Sequence, residues 1–163
     1  MELKSKMNDA LNAQINEELY SSYLYLSMAA YFESINLPGF ANWMKVQSRE
    51  ETVHGMKLFH YIHEAGGTVT LKGIKEPKAK WDSVIQVFEE SLKHEQHITA
   101  CINNLLEQAL AEKDFATANM LQWFVNEQVE EEANPREILA KLKMIGGSMG
   151  SLLYLDKEMK KRE

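Results

Sequence analysis

Glu51 and His54 stand three residues apart in a segment that reads as helix from about Phe40 to Ala65. Steps of four and three along it collect Phe40, Met44, Gln47, Glu51, His54, Leu58, Tyr61 and Ala65 on one stripe. Such a stripe is the face a helix turns toward its partners. Residues three apart are surface neighbours on a helix, so a carboxylate and an imidazole sit side by side in a mostly apolar face. An ionised carboxylate buried there needs a counter-charge. No Lys or Arg shares the stripe, so a metal ion is the simplest compensation. A single Glu-x-x-His has only two fixed letters and recurs by chance. Its weight depends on whether other helices bring carboxylates to the same level.

The elements that must position them are four long helices. The first runs from Ser5, a candidate N-cap, to about Ser34, where Asn36-Leu37-Pro38-Gly39 breaks it. Its stripe is Leu11, Ile15, Glu18, Ser22, Tyr25, Ala29 and Phe32. A second apolar stripe beside it, Leu19, Tyr23, Leu26 and Ala30, suggests a subunit interface. The helix carrying Glu51 starts at Pro38 or Gly39 and stops at Gly66-Gly67. The stretch from Thr68 to Lys80 has no helical period. A connection this long is explained by a crossover along a bundle, which lets the second and third helices run parallel. The third helix opens near Asp82-Ser83 and runs to about Lys113, with Glu95 alone among apolar residues on its stripe. The fourth follows Asp114 to about Ile145, with Glu131 on its stripe. A short fifth helix is expected at about 148–160. The fold expected is all-α: one domain over residues 1–163, a four-helix bundle at about 5–145 with a long crossover between helices 2 and 3.

Glu18, Glu51, Glu95 and Glu131 each lie near the middle of a helix, so in such a bundle they converge at one level beside His54. Their mutual repulsion demands cations between them. Two divalent ions would neutralise four carboxylates, and Glu51 could bridge them. Hard oxygen donors with one imidazole suit Fe(II) or Mn(II) and admit Zn(II). Each Glu taken singly also fits an edge residue whose head reaches water. Tyr25 reads as core or as a residue that orients a ligand or does redox chemistry. Glu50, Glu127 and Glu130 read either as a solvated face or as a third cation site. Pro135, one turn after Glu131, should kink the fourth helix. His60, His63, His94 and His97 read as surface or interface residues.

Composition sets bounds on function. The net charge of −6 disfavours nucleic acid or an anionic membrane as partner. Cys101 is the only cysteine, so an intrachain disulfide is impossible and a reducing compartment fits. Met1 to Lys6 shows no signal-peptide pattern, and no run is long and apolar enough for a membrane span. A cytoplasmic protein is expected.

The chain resembles a bacterial or archaeal non-haem ferritin over nearly its whole length. The resemblance is carried by Asn16 to Ser22, Tyr23 to Leu26, Gly39 to Met44, Glu50 to His54, Lys93-His94-Glu95 and Trp123 to Glu132. Di-iron proteins of this kind are the general type of carboxylate site in a bundle core. The resemblance implies a ferroxidase centre. Glu18, Glu51 and His54 would hold one iron, Glu51 would bridge, and Glu95 and Glu131 would hold the second. Glu50, Glu127 and Glu130, sharing Glu131, would form a weaker third site, with Tyr25 and Gln128 beside the ligands. It also implies a hollow cage of 24 subunits that oxidises Fe(II) with dioxygen or peroxide and stores ferric mineral. Position 52, where bacterioferritin has its haem-binding Met, is Thr52, so no haem is expected. The fourth helix has Glu127-x-x-Glu130 rather than a second Glu-x-x-His, which also separates the chain from bacterioferritin and rubrerythrin. A redox-inactive metal buffer and a DNA-guarding mini-ferritin are the competing readings. The absence of a basic tail and the intrasubunit site count against the second.

Overall fold

The computed structural model describes residues 3–163; Met1 and Glu2 of the expected domain lie outside them. Five helices follow in order: α1 (Ser5–Ser34), α2 (Pro38–Glu64), α3 (Val84–Ala111), α4 (Phe115–Ile145) and α5 (Met149–Met159). There is no strand among the described residues. Ser83, Asp114 and Ser148 cap α3, α4 and α5 by accepting from the amides of Gln86, Thr117 and Ser151. Each such cap contributes about 1 kcal/mol. Ser5 is not a cap: it is the first helical residue, and Lys4 occupies the cap position without a side-chain bond. Pro38 sits in the first turn of α2, where its missing N–H costs nothing.

Backbone and side-chain contacts between elements fix the helix directions. The Leu3 amide donates to the Ala65 carbonyl, so α2 ends where α1 begins and the two are antiparallel. The connection after α2 is laced to α1. Near its start Asn12 bonds the backbone of Thr68 and Thr70; further on, Ser27 donates to the Lys78 carbonyl. Fifteen helical residues separate Asn12 from Ser27, about 22 Å of helix. The crossover therefore climbs back along α1 and delivers Trp81 to Tyr31, with ring centroids 5.4 Å apart. At the other end of α3, Lys4 donates to the Glu112 carbonyl at 3.0 Å. Hence α3 is antiparallel to α1 and parallel to α2, as the length of the connection requires. Tyr61 meets Thr117 at 2.8 Å, setting the start of α4 against the end of α2.

α4 runs unbroken through buried Pro135 to Ile145, leaving the Glu131 carbonyl without its usual helical donor. Gly146, with φ +60°, closes it. α5 docks on the start of α2. The Asp156 carboxylate accepts from the Phe40 amide at 2.9 Å, a charge well placed at a helix N-terminus. Contact there is so close that a Cβ on Gly39 would fall 1.6 Å from the Asp156 carbonyl oxygen.

The core is divided. One half, at the α1 C-terminal end, is rich in aromatics: Phe32, Phe40, Trp43, Trp81 and Phe88. The other is mainly aliphatic, with Leu11, Ile15, Leu58, Ile62, Ile98, Ile102 and Leu121. Glu18, Glu51, Glu95 and Glu131 fall in the interval between the two, on all four helices.

Candidate metal centre

The four carboxylates are buried, none more than 4% exposed, and His54 is 4% exposed. Ligand atoms of Glu18, Glu51 and His54 lie within 4.8 Å of one another, as do those of Glu51, Glu95 and Glu131. Glu51 belongs to both groups. His54 Nδ1 is 3.3 Å from Glu51 Oε2, and its Nε2 is 3.8 Å from Glu127 Oε1. His54, Glu127 and Glu131 form a third group of the same compactness.

Each carboxylate is braced by a neutral side chain. Gln14 donates to Glu18 at 2.8 Å and Gln47 to Glu51 at 3.0 Å, each from one turn earlier on the same helix. Gln47 reaches across to Glu131 as well. The Tyr25 hydroxyl donates to Glu95 and contacts Ser91 at 3.1 Å. Gln128 donates to Glu95 Oε2 at 3.3 Å. Tyr25 thus serves Glu95 on α3, not Glu18 on its own helix. The sequence reading places Gln47 on the inward stripe but gives neither glutamine at i−4 a bracing role, although the spacing itself signals it.

Burial and crowding set the protonation. Burial, then Glu51, pushes the Glu18 carboxyl up to about 8. Burial and Glu131 take Glu51 to about 8, and burial and Glu95 do the same for Glu131. Glu95 is raised well above the carboxylate range by burial and by Glu51. The Tyr25 phenol is raised by burial and by Glu95, so it stays a hydrogen-bond donor. Burial and mutual repulsion thus favour the protonated form of all four acids, and cations placed between them would relieve that repulsion. Glu18 Oε2 and Gln47 Oε1 are buried without a hydrogen-bond partner. An acceptor oxygen left bare costs about 1–3 kcal/mol, and a cation on Glu18 removes that cost. The donor set of carboxylates with one imidazole fits Fe(II).

The outer carboxylates behave differently from one another. Glu127 reaches the centre through His54, whereas Glu130 is exposed and outside every ligand group among the described residues. Glu50 pairs with Arg162, whose guanidinium also lies 4.3 Å over the Trp43 ring. His94, expected at the surface or an interface, is half-buried. It is tucked into the α1–α3 seam, 2.7 Å from Ser21 Oγ and edge-on to Tyr20. Burial, then His97 and Lys75, lowers its pKa to about 4.

The model of the ferritin-like domain matches residues 8–145, most of the chain. This chain belongs to the ferritin family. The bacterial non-heme ferritin of Bacteroides fragilis is 39% identical over 160 residues, covering 98% of this chain and 99% of that one. That of Campylobacter jejuni is 42% identical over 153 residues, covering 94% and 91%. Among solved structures, an open pore ferritin from the hyperthermophilic archaeon Archaeoglobus fulgidus superposes with a TM-score of 0.98 at 53% identity, covering 99% of both chains. A closed form of the same ferritin, engineered by site-directed mutagenesis, matches with the same TM-score. The ferritin fold therefore extends through α5, beyond the matched domain. Among the described residues no helix is long and apolar enough to cross a membrane.

Proposed function

We propose that the protein stores iron, taking up Fe(II) as substrate at an intrasubunit dinuclear centre and releasing Fe(III) into a mineral. The observation that carries this reading is Glu51, which stands in two ligand groups at once and is positioned to bridge two ions. Glu18 and His54 complete one side; Glu95 and Glu131 complete the other. Fe(II) binding displaces the protons that burial keeps on these carboxyls, so loading releases acid. Two ferrous ions then give up one electron each. One dioxygen takes both electrons with two protons and leaves as hydrogen peroxide; peroxide as oxidant takes two electrons and two protons to give water. The residues supply position and compensating charge, and Tyr25, Gln14, Gln47 and Gln128 hold the carboxylates to their geometry.

A third, weaker ion would sit by Glu127 and Glu131, with Glu50 and Glu130 as outer carboxylates. Assembly into a cage of 24 subunits, resting on the family resemblance, would enclose the mineral. The working compartment we propose is the cytoplasm, and no haem takes part.

The test is Fe(II) titration of the metal-free protein with ferric absorbance and oxygen uptake followed together. Rapid oxidation saturating near two irons per chain, then slower mineral growth, is expected. Binding with no oxidation above that of buffer would reduce the protein to a metal buffer.

A further inference from the structure

Outside the dinuclear centre, α1 and α3 bring a second set of metal-binding side chains together. His97 and Cys101 stand one helical turn apart on α3 and face Glu17 on α1. Cys101 Sγ is 3.6 Å from His97 Nε2, and Glu17 Oε2 is 3.0 Å from the same nitrogen. All three are partly open to solvent: the side chains of His97 and Glu17 are 56% and 37% exposed, and Cys101 is intermediate.

A thiol and a carboxylate that both contact one imidazole invite a nucleophilic reading, and the geometry argues against it. In a catalytic triad the acid holds one ring nitrogen while the nucleophile uses the other. Here the thiol and the carboxylate converge on a single nitrogen. The thiol pKa is also raised, by burial and by Glu17 and Glu18, the opposite of an activated cysteine. A thiol and a carboxylate that each meet one imidazole nitrogen instead supply two of the three edges of a ligand set. Two ligands on one tetrahedral Zn(II), at bonds of about 2.0–2.3 Å, stand roughly 3.3–3.6 Å apart. The N···O and N···S separations lie close to that range. Cys101 Sγ and the Glu17 carboxylate stand more than 4.8 Å apart, a gap that rotation of the half-exposed Glu17 side chain must close for all three to share an ion.

We propose that Glu17, His97 and Cys101 form a separate surface site for a thiolate-preferring divalent cation of the Zn(II) class, completed by water. One thiolate, one imidazole and one carboxylate select Zn(II) or Co(II) over the harder ions that the all-oxygen side of the dinuclear centre favours. The site lies back to back with that centre: Glu17 adjoins Glu18, and His97 lies two residues beyond Glu95. It does not depend on the iron chemistry proposed above.

Co(II) titrated into the metal-free full-length protein tests it, because only sulfur ligation gives a near-ultraviolet thiolate-to-cobalt charge-transfer band. The band is expected to saturate at one Co(II) per chain and to persist in Glu51→Ala, which disables the dinuclear centre. Cys101→Ser should abolish it, while leaving Fe(II) oxidation and helix content unchanged. His97→Ala and Glu17→Gln should each weaken Co(II) binding about tenfold or more. Absence of the band in the unaltered protein overturns the proposal. So does a band whose affinity ignores both His97→Ala and Glu17→Gln, since that marks a lone thiol.

Discussion

The two sides of the carboxylate layer are braced by opposite means. Glu18 and Glu51, on α1 and α2, are each held by a glutamine one turn earlier on their own helix. Glu95 and Glu131, on α3 and α4, are held from elsewhere: Glu95 by Tyr25 of α1 and Gln128 of α4, Glu131 by Gln47 of α2. The first arrangement exists as soon as a helix forms. The second exists only in the assembled bundle. The α1–α2 side is thus a preset half-site, and the α3–α4 side is completed by packing.

Substitutions can break this contrast or sharpen it. Glu51→Ala removes the residue common to both sides, and fast Fe(II) oxidation should fall at least about 100-fold, measured by stopped-flow absorbance with helix content unchanged. On stability the largest effect is that of pH on the metal-free protein. Glu18, Glu51 and Glu131 carry folded pKa values of about 8 against 4.5 for an ordinary carboxyl. Between those values the folded chain keeps protons that the unfolded chain has released, so stability falls as pH rises from about 4.5 to about 8. Thermal melts should drop several degrees across that window, each 1 kcal/mol being about 2–4 °C for a chain of this size. Loading with divalent metal should flatten the slope. A metal-free melting temperature that climbed with pH would contradict the picture.

Gln47→Leu severs the brace that holds a carboxylate on each side, and an affinity loss of about 10–100-fold is expected for the second ion bound. Calorimetric titration resolves it. Tyr25→Phe should cost about tenfold on the Glu95 side alone, since Gln128 still holds that carboxylate. Gln14→Leu should have the least effect, a few-fold at the Glu18 side. If Gln14→Leu proved as damaging as Gln47→Leu, the distinction between preset and assembled halves would fail.

The same contrast explains what the sequence discloses. The four-and-three stripes place Glu18, Glu51, Glu95 and Glu131 at one level because helical period is local and the crossover length fixes direction. The helix starts near Ser83, Asp114 and Ser148 are legible for the same reason, although the cap expected at Ser5 is not one. Gln14 and Gln47 obey a local rule too, and were within reach of it. The Tyr25–Glu95 bond joins residues 70 apart in sequence, and the Arg162–Glu50 pair residues 112 apart. No periodicity announces either. Arg162 draws Glu50 aside, which separates it from Glu127 although both lie in acidic runs. His94 is hidden in the same way. Only the packing of α1 on α3 makes His94 the half-buried partner of Ser21.

Trp123 gives the centre an optical voice. Its indole stands edge-on to His54 with 5.4 Å between ring centroids, and the Lys57 ammonium lies 4.4 Å over the indole ring. Trp43 and Trp81 belong to the aromatic half of the core instead. A paramagnetic ion on His54 would lie close enough to this indole to drain its excited state, so the fluorescence of Trp123 is a gauge of filling that needs no label.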